Sequence, residues 1–253
     1  MSNKKGNTIS AESAKNERAH MIASNMNFAA SEAYKTLRTN LMFSFSDTER
    51  CHIIGMTSPF RGEGKTLTSI NLAFTMAEAG KKVLLIEGDM RLPTLATRLG
   101  LKTSPGLSNL MVGMNSAKEA VQTYETKRDD GKVIRFGVIV SGDIPPNPSE
   151  ILGSKRMQSL LNVVKDMYEY VIIDLPPVTM VTDALVASKI VDGLVVVVRS
   201  KKAVRGALED TMRQLKLVDA RILGFVFNGA SESGGSYYKG KNYYKKNYYY
   251  YKK

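Results

Sequence analysis

A single cysteine, Cys51, leaves no partner for an intrachain disulfide and no ligand set for a cysteine-based zinc site, and it fits a reducing compartment. Only two histidines are present; His20 lies in a polar N-terminal stretch and His52 in an expected strand, so neither has the company that metal binding or nucleophilic catalysis needs. Long apolar runs are also missing. The longest, such as Leu194 to Val198, fall far short of the ~20 residues a membrane span requires, and the N-terminus lacks the apolar segment of a signal peptide. These absences point to a cytosolic chain whose attachment to a membrane comes through a partner or through surface charge.

Residues 237–253, YYKGKNYYKKNYYYYKK, contain neither a carboxylate nor an aliphatic side chain. That composition cannot build a packed core. It does hold eight of the twelve tyrosines (Tyr237, Tyr238, Tyr243, Tyr244, Tyr248, Tyr249, Tyr250 and Tyr251) and six lysines. Half of the net charge of +12 therefore belongs to this tail, so the basic balance does not describe a folded surface and nucleic acid is not the expected partner. A basic aromatic tail can stack on single-stranded nucleic acid or lie on an anionic membrane. It can instead serve as a phosphate acceptor: full modification would swing its charge from +6 to roughly −6 to −10.

Between a polar arm over residues 1–28 and the tail over 231–253, the pattern is that of one α/β domain, 29–230. SEAYKTLRTNLMF places Ala33, Leu37 and Leu41 on one helical face, with Ser31 as the expected N-cap. From Cys51 onward, β-branched runs alternate with helical patterns: CHIIGMT, KVLLIEGD, VIRFGVIVSG, YVIID, GLVVVVRS and RILGFVFN. Runs apolar on both faces predict a mainly parallel sheet covered by helices on both sides, in the manner of P-loop NTPases. One helix is expected from Gly64 to Gly80, one over Asn147 to Asp166 with Pro148 in its first turn, and another after Ala203.

Three segments carry chemistry. TSPFRGEGKT, Thr57 to Thr66, stands between a strand and a helix, where the backbone N–H groups of residues 62–66 can surround phosphate, Lys65 can neutralise it and the Thr66 hydroxyl can reach magnesium. The strict loop pattern has glycine where Pro59 stands. VIIDLPP delivers Asp174 to the end of a strand, where it can hold a metal. VLLIEGDMR puts Glu87 and Asp89 two residues apart at another strand end; paired carboxylates there suit a magnesium ion or proton transfer, and otherwise a solvated strand end. Asn228 ends a strand, and in similar ATPases the residue there resembles an adenine contact; Arg91 and Arg199 can support phosphate or be ordinary surface cations. A nucleotide loop joined to a crowd of phenols implies a chain that phosphorylates its own tyrosines.

In combination these segments resemble the bacterial tyrosine kinases of capsule and exopolysaccharide synthesis, in their separate cytoplasmic form. The resemblance runs from Glu32 to the tail: EAYKTLRTNL, GEGKT, EGDMRLPT, GLSNLM, SGDIPPNPSEIL, IIDLPPV, VTDA, DGLVVVVR and ILGFVFN each match a family signature, and the tyrosine cluster completes the match. The family is unrelated in fold to eukaryotic protein kinases, whose catalytic-loop and DFG patterns are absent here. Two residues depart from it. Glu87 replaces the usual aspartate, and Arg61 replaces a common proline.

The resemblance implies an ATP- and magnesium-dependent autokinase acting on its tail, with transfer between the subunits of a ring. Lys65, Glu87 and Asp89 would be catalytic, Glu87 orienting or deprotonating the phenol. Arg61, Gly62, Glu63, Gly64, Lys65, Thr66, Leu67 and Asn228 would bind ATP, and Thr66, Asp89 and Asp174 would bind magnesium. Glu32, Lys35 and Arg38 match the family's subunit-contact motif. A membrane-embedded polysaccharide chain-length regulator is the implied activator, necessary because the membrane helices that other members carry fused are missing, and a phosphotyrosine phosphatase is the implied counterpart. Two rivals stand beside this reading. One is a partitioning-type ATPase switch, whose signature lysine is replaced here by Phe60; the other is a nucleotide-dependent scaffold in which Glu87 has spoiled phosphoryl transfer.

Overall fold

The β-branched runs form a seven-stranded sheet in a computed structural model that describes residues 26–47, 50–128, 130–200 and 204–230. The tail tyrosines and the expected arm up to residue 25 lie outside the described residues. The strands are β1 (His52–Thr57), β2 (Val83–Glu87), β3 (Val121–Lys127), β4 (Val133–Ile139), β5 (Tyr170–Asp174), β6 (Gly193–Arg199) and β7 (Ile222–Asn228), in the order β3-β4-β2-β5-β1-β6-β7. Only β3 runs antiparallel to its neighbour; all other pairs are parallel. Nine helices are described: α1 (Phe28–Phe43), α2 (Lys65–Glu78), α3 (Leu95–Leu99), α4 (Leu107–Met111), α5 (Ala117–Ala120), α6 (Pro148–Leu152), α7 (Lys155–Lys165), α8 (Asp183–Ala187) and α9 (Arg205–Leu217).

Successive strand residues point to opposite faces, and each face has its own core. Ile54, Met56, Leu85, Ile172, Val195 and Val197 cluster with Leu41 of α1 and Ile70 and Phe74 of α2. Their neighbours Ile53, Leu84, Ile86, Val171, Ile173, Leu194 and Val196 cluster with Leu160, Leu161 and Val164 of α7 and Leu215 of α9. Covered on both sides, β1, β2 and β5 are buried at every position, which is why they read as continuous apolar runs.

The structure adds four short helices that the sequence pattern does not mark, α3, α4, α5 and α8, and departs from it at three further places. The first helix starts at Phe28 instead of Ser31, because Asn27 Oδ1 accepts from the Ala30 N–H and closes the N-terminus there. The single helix expected over Asn147 to Asp166 is two: α6 ends at Gly153, and Ser154 caps a new helix by accepting from the Met157 N–H. An ideal Cβ on Gly153 would lie 2.9 Å from Val186 Cγ1, so the break is also where α6 meets α8. Strand β3 escaped notice because VQTYETK is mostly polar; it is an edge strand, joined to β4 by the Tyr124–Phe136 ring contact and the Glu125–Arg135 ion pair. No helix among the described residues is long and apolar enough to cross a membrane.

Because the strands are parallel, the segments that follow β1, β2, β5, β6 and β7 all leave from one edge of the sheet. That edge is where an open α/β sheet binds its ligand.

Candidate active site

The segment after β1 turns sharply into α2, and two glycines make the turn. Gly62 and Gly64 have φ of +80° and +93°, a region that residues with a Cβ rarely enter. At Gly64 a Cβ would also stand 1.8 Å from Asn228 Nδ2, which donates to Glu63 O at 2.9 Å. Asn228, at the end of β7, therefore holds the loop against the far side of the sheet. Arg199 does the same from β6: its backbone N–H donates to Glu63 Oε2 at 2.7 Å and its Nη1 to Gly62 O at 3.0 Å.

The N-terminus of α2 opens into a cavity of about 460 Å³ lined by Phe60, Arg61, Gly62, Gly64, Lys65, Thr66, Leu67, Asp89, Leu92, Thr94, Arg98, Pro177, Arg199, Asn228 and neighbours. The helix dipole, the backbone of the loop and four cationic side chains against one lining carboxylate suit a polyphosphate. Lys65 Nζ lies 3.0 Å from Asp174 Oδ1 and 3.5 Å from Asp89 Oδ2, with Ser69 Oγ donating to the same Asp174 oxygen at 3.2 Å. Asp174 is 1% exposed, and its charge is tolerable there because these donors meet it. Burial pushes the Asp89 carboxyl up from its ordinary value; Lys65 pulls it back and Asp174 adds to the rise.

Glu87 is arranged differently. Its side chain is buried: Oε1 accepts from the Thr94 and Leu95 N–H groups at 2.5 and 2.7 Å, and Oε2 from the Ser141 N–H at 3.0 Å. It fastens the start of α3 and the backbone beyond β4 to the end of β2. Burial raises its pKa while those three donors lower it.

A model of the AAA domain matches residues 51–223. The tyrosine-protein kinase YwqD of Bacillus subtilis is 38% identical over 82% of this chain and 84% of its own length. The putative tyrosine-protein kinase CapB of Staphylococcus aureus is 34% identical over 82% of this chain and 88% of its own. Among solved structures, the kinase domain of the Escherichia coli tyrosine kinase ETK superposes with a TM-score of 0.73 at 32% identity, covering 83% of this chain and 79% of that one. The chain belongs to the bacterial tyrosine-protein kinases. That family is tied to capsule and exopolysaccharide synthesis, and its fold is P-loop NTPase-like.

In this kinase Arg61, Gly62, Gly64, Lys65, Thr66, Leu67 and Asn228 line the cavity together with Asp89, and Asp174 stands directly behind Lys65. Glu63 does not; it is buried and supports the loop through Arg199. Glu87, the expected base, is not part of the cavity wall either, and both its oxygens accept from backbone N–H groups. Arg91 is likewise drawn elsewhere, to Asp183. On α1, Glu32 and Lys35 pair with each other at 2.8 Å on a half-exposed surface, whereas Arg38 Nη1 donates to Thr75 O of α2 and so serves packing within the chain. Arg98 and Phe60 line the site without having been expected there; a lone arginine on a five-residue helix has no spacing signal to betray it.

Proposed function

We propose that the chain is an ATP- and magnesium-dependent autokinase that phosphorylates the tyrosines between Tyr237 and Tyr251, on a neighbouring subunit of a ring. The observation that supports it best is Lys65 at the mouth of α2, held between Asp174 and Asp89 in a basic cavity. The order of strands suggests how ATP lies. Asp89 and Asp174 leave from β2 and β5 on one flank of the loop, and Asn228 leaves from β7 on the other. The γ-phosphate belongs beside the carboxylates and the base beside Asn228, with Lys65 exchanging its carboxylate partners for phosphate oxygens.

The Thr66 hydroxyl and the Asp174 carboxylate are hard oxygen donors of the kind magnesium uses alongside phosphates, and no group of three or more His, Cys, Asp or Glu side chains that could hold a metal occurs among the described residues. Thr66 and Asp174 would hold the ion, which supplies charge neutralisation at the β- and γ-phosphates. In the transfer step the phenolic oxygen bonds to the γ-phosphorus, the bond to the β–γ bridging oxygen breaks, ADP leaves and the phenolic proton passes to Asp89. A phenol of ordinary pKa near 10 is mostly protonated at neutral pH, so a carboxylate whose own pKa is raised by burial is a useful acceptor. The exposed apolar side chains of Phe60 and Leu92 at the cavity mouth are available to an acceptor ring.

The family resemblance supplies the rest of the reading: a cytosolic kinase, domain 29–230, held at the inner face of the membrane by a chain-length regulator that activates it, reset by a phosphotyrosine phosphatase, and controlling capsule or exopolysaccharide export. Phosphotyrosine mapping after incubation with ATP, magnesium and activator tests it. Phosphate is expected on the tail tyrosines, and Lys65→Met should be nearly inactive. ATP hydrolysis without any phosphotyrosine would overturn the kinase reading in favour of an ATPase switch.

A further inference from the structure

Three residues that the transfer step does not use, one from each of three signature segments, meet at one point. Arg91, two residues beyond Asp89, places Nε 2.9 Å from Asp183 Oδ2 and Nη2 3.0 Å from Asp183 Oδ1. Ser149 Oγ donates to the same Asp183 Oδ1 at 2.5 Å and lies 3.4 Å from both Arg91 Nη2 and Thr182 Oγ1. Asp183 is fully buried. These residues belong to EGDMR after β2, NPSEIL after β4 and VTDA after β5, and β4, β2 and β5 are neighbours in the sheet. Glu87 ties the same region from the other side, through Thr94, Leu95 and Ser141. Asp89 thus sits on a short loop anchored immediately before it by Glu87 and immediately after it by Arg91.

We propose that Arg91, Asp183 and Ser149 form a positioning clamp that sets Asp89 against Lys65 and Asp174. The arrangement is more than a surface ion pair. A bidentate guanidinium fixes distance and direction at once, and a buried carboxylate has no water to replace it. The phosphate-binding loop, residues 62–66, and Asn228 lie on other segments, and of the cavity wall only Asp89, Leu92, Thr94 and Arg98 belong to the stretch after β2. Loss of the clamp should therefore disturb the step that needs Asp89 more than it weakens nucleotide binding. In its kinetic consequence this inference rests on the kinase reading above; in its structural consequence it does not.

Arg91→Lys is the informative variant, because a point charge keeps Asp183 paired but cannot make two parallel bonds. Hydrogen exchange of the full chain is expected to speed up over residues 88–94, with α2 and β1 unchanged. The turnover number for tail phosphorylation should fall on the order of ten- to a hundred-fold, as for a displaced catalytic group, while the ATP dissociation constant changes less than about two-fold. Arg91→Lys in an Asp183→Asn background should add little further loss, since the two residues act as one unit. Ser149→Ala, which leaves the ion pair in place, should give the same pattern more weakly. Exchange that rises throughout the sheet would show a general fold contact and overturn the proposal, as would unchanged exchange and turnover in Arg91→Lys. If the unaltered protein makes no phosphotyrosine, the kinase reading fails, and the exchange pattern together with magnesium-dependent ATP hydrolysis still decides the clamp.

Discussion

A carboxylate whose two oxygens already accept from three backbone N–H groups is poorly placed to take a proton from an incoming phenol, and Glu87 is in that position. Its neighbour Asp89 faces the cavity. The two are separable by the pH profiles of their variants. Burial raises the Asp89 pKa, so its base form is lost as pH falls through that raised value, and the acid limb of the rate profile should lie above that of an ordinary aspartate. Glu87→Gln sets an amide NH₂ against backbone N–H donors, which costs about 1–3 kcal/mol for a buried unsatisfied group. It should lower Tm and turnover yet keep the acid limb, whereas Asp89→Asn should remove it. The reverse result in single-turnover phosphorylation would return the base role to Glu87. Stability follows the same sign: a carboxyl with a raised folded pKa contributes stability below the unfolded pKa and loses it as pH rises through the folded one. Asp89→Asn, which cannot ionise, should therefore raise the Tm of the nucleotide-free protein at neutral pH, with Lys65 still held by Asp174; a lowered Tm would mean that the Lys65–Asp89 contact outweighs the cost of burying the charge.

Helix α2 and the loop that feeds it depend on Gly64 for two separate reasons, a positive φ and the absence of a Cβ against Asn228. Gly64→Ala meets both, and backbone strain alone at such a position costs about 1–3 kcal/mol. Titration with ATP should show binding weakened at least ten-fold. Adding Asn228→Ala removes the steric conflict but not the dihedral one, so it should recover only part of the loss. Full recovery would show that the left-handed backbone is unimportant. The same element shows what a pattern read along the chain can reach: Gly80 closes α2 as expected, with its N–H on Ala77 O and the Lys81 N–H on Met76 O. At Ser154 the pattern failed. A continuous amphipathic run hid a break that a serine cap and a close approach between α6 and α8 impose.

For the whole molecule, the proposed separation of catalytic domain and acceptor tail allows each chain to lose one function and keep the other. A chain with Lys65→Met and an intact tail should become phosphorylated when mixed with an active chain whose eight tail tyrosines are phenylalanine. Mass spectrometry of the Lys65→Met chain is the measurement. Absence of phosphate there, with normal labelling of the unaltered protein alone, would place transfer within one chain. Charge also matters at this scale. Four cations line the cavity against Asp89, so a basic tail should bind an empty site weakly and a nucleotide-loaded site better, and added salt should narrow the difference.

Local chemistry was enough to determine the alternation of strands and helices, the loop at Gly62 to Thr66, the carboxylates at strand ends and the family, because each depends on residue types at short spacing. Fully buried strands announce themselves as apolar runs, and a phosphate loop announces itself by glycine and lysine before a helix. Direction was not legible. Glu87 and Asp89 are two residues apart in the same motif, yet one turns to backbone N–H groups brought by α3 and Ser141 and the other to Lys65. Nor could Arg91 be assigned, since its partner Asp183 lies 92 positions away. The tertiary structure decided these roles because a side chain's task is set by which donors and acceptors the other strands deliver to it, and the order of the sheet places them there.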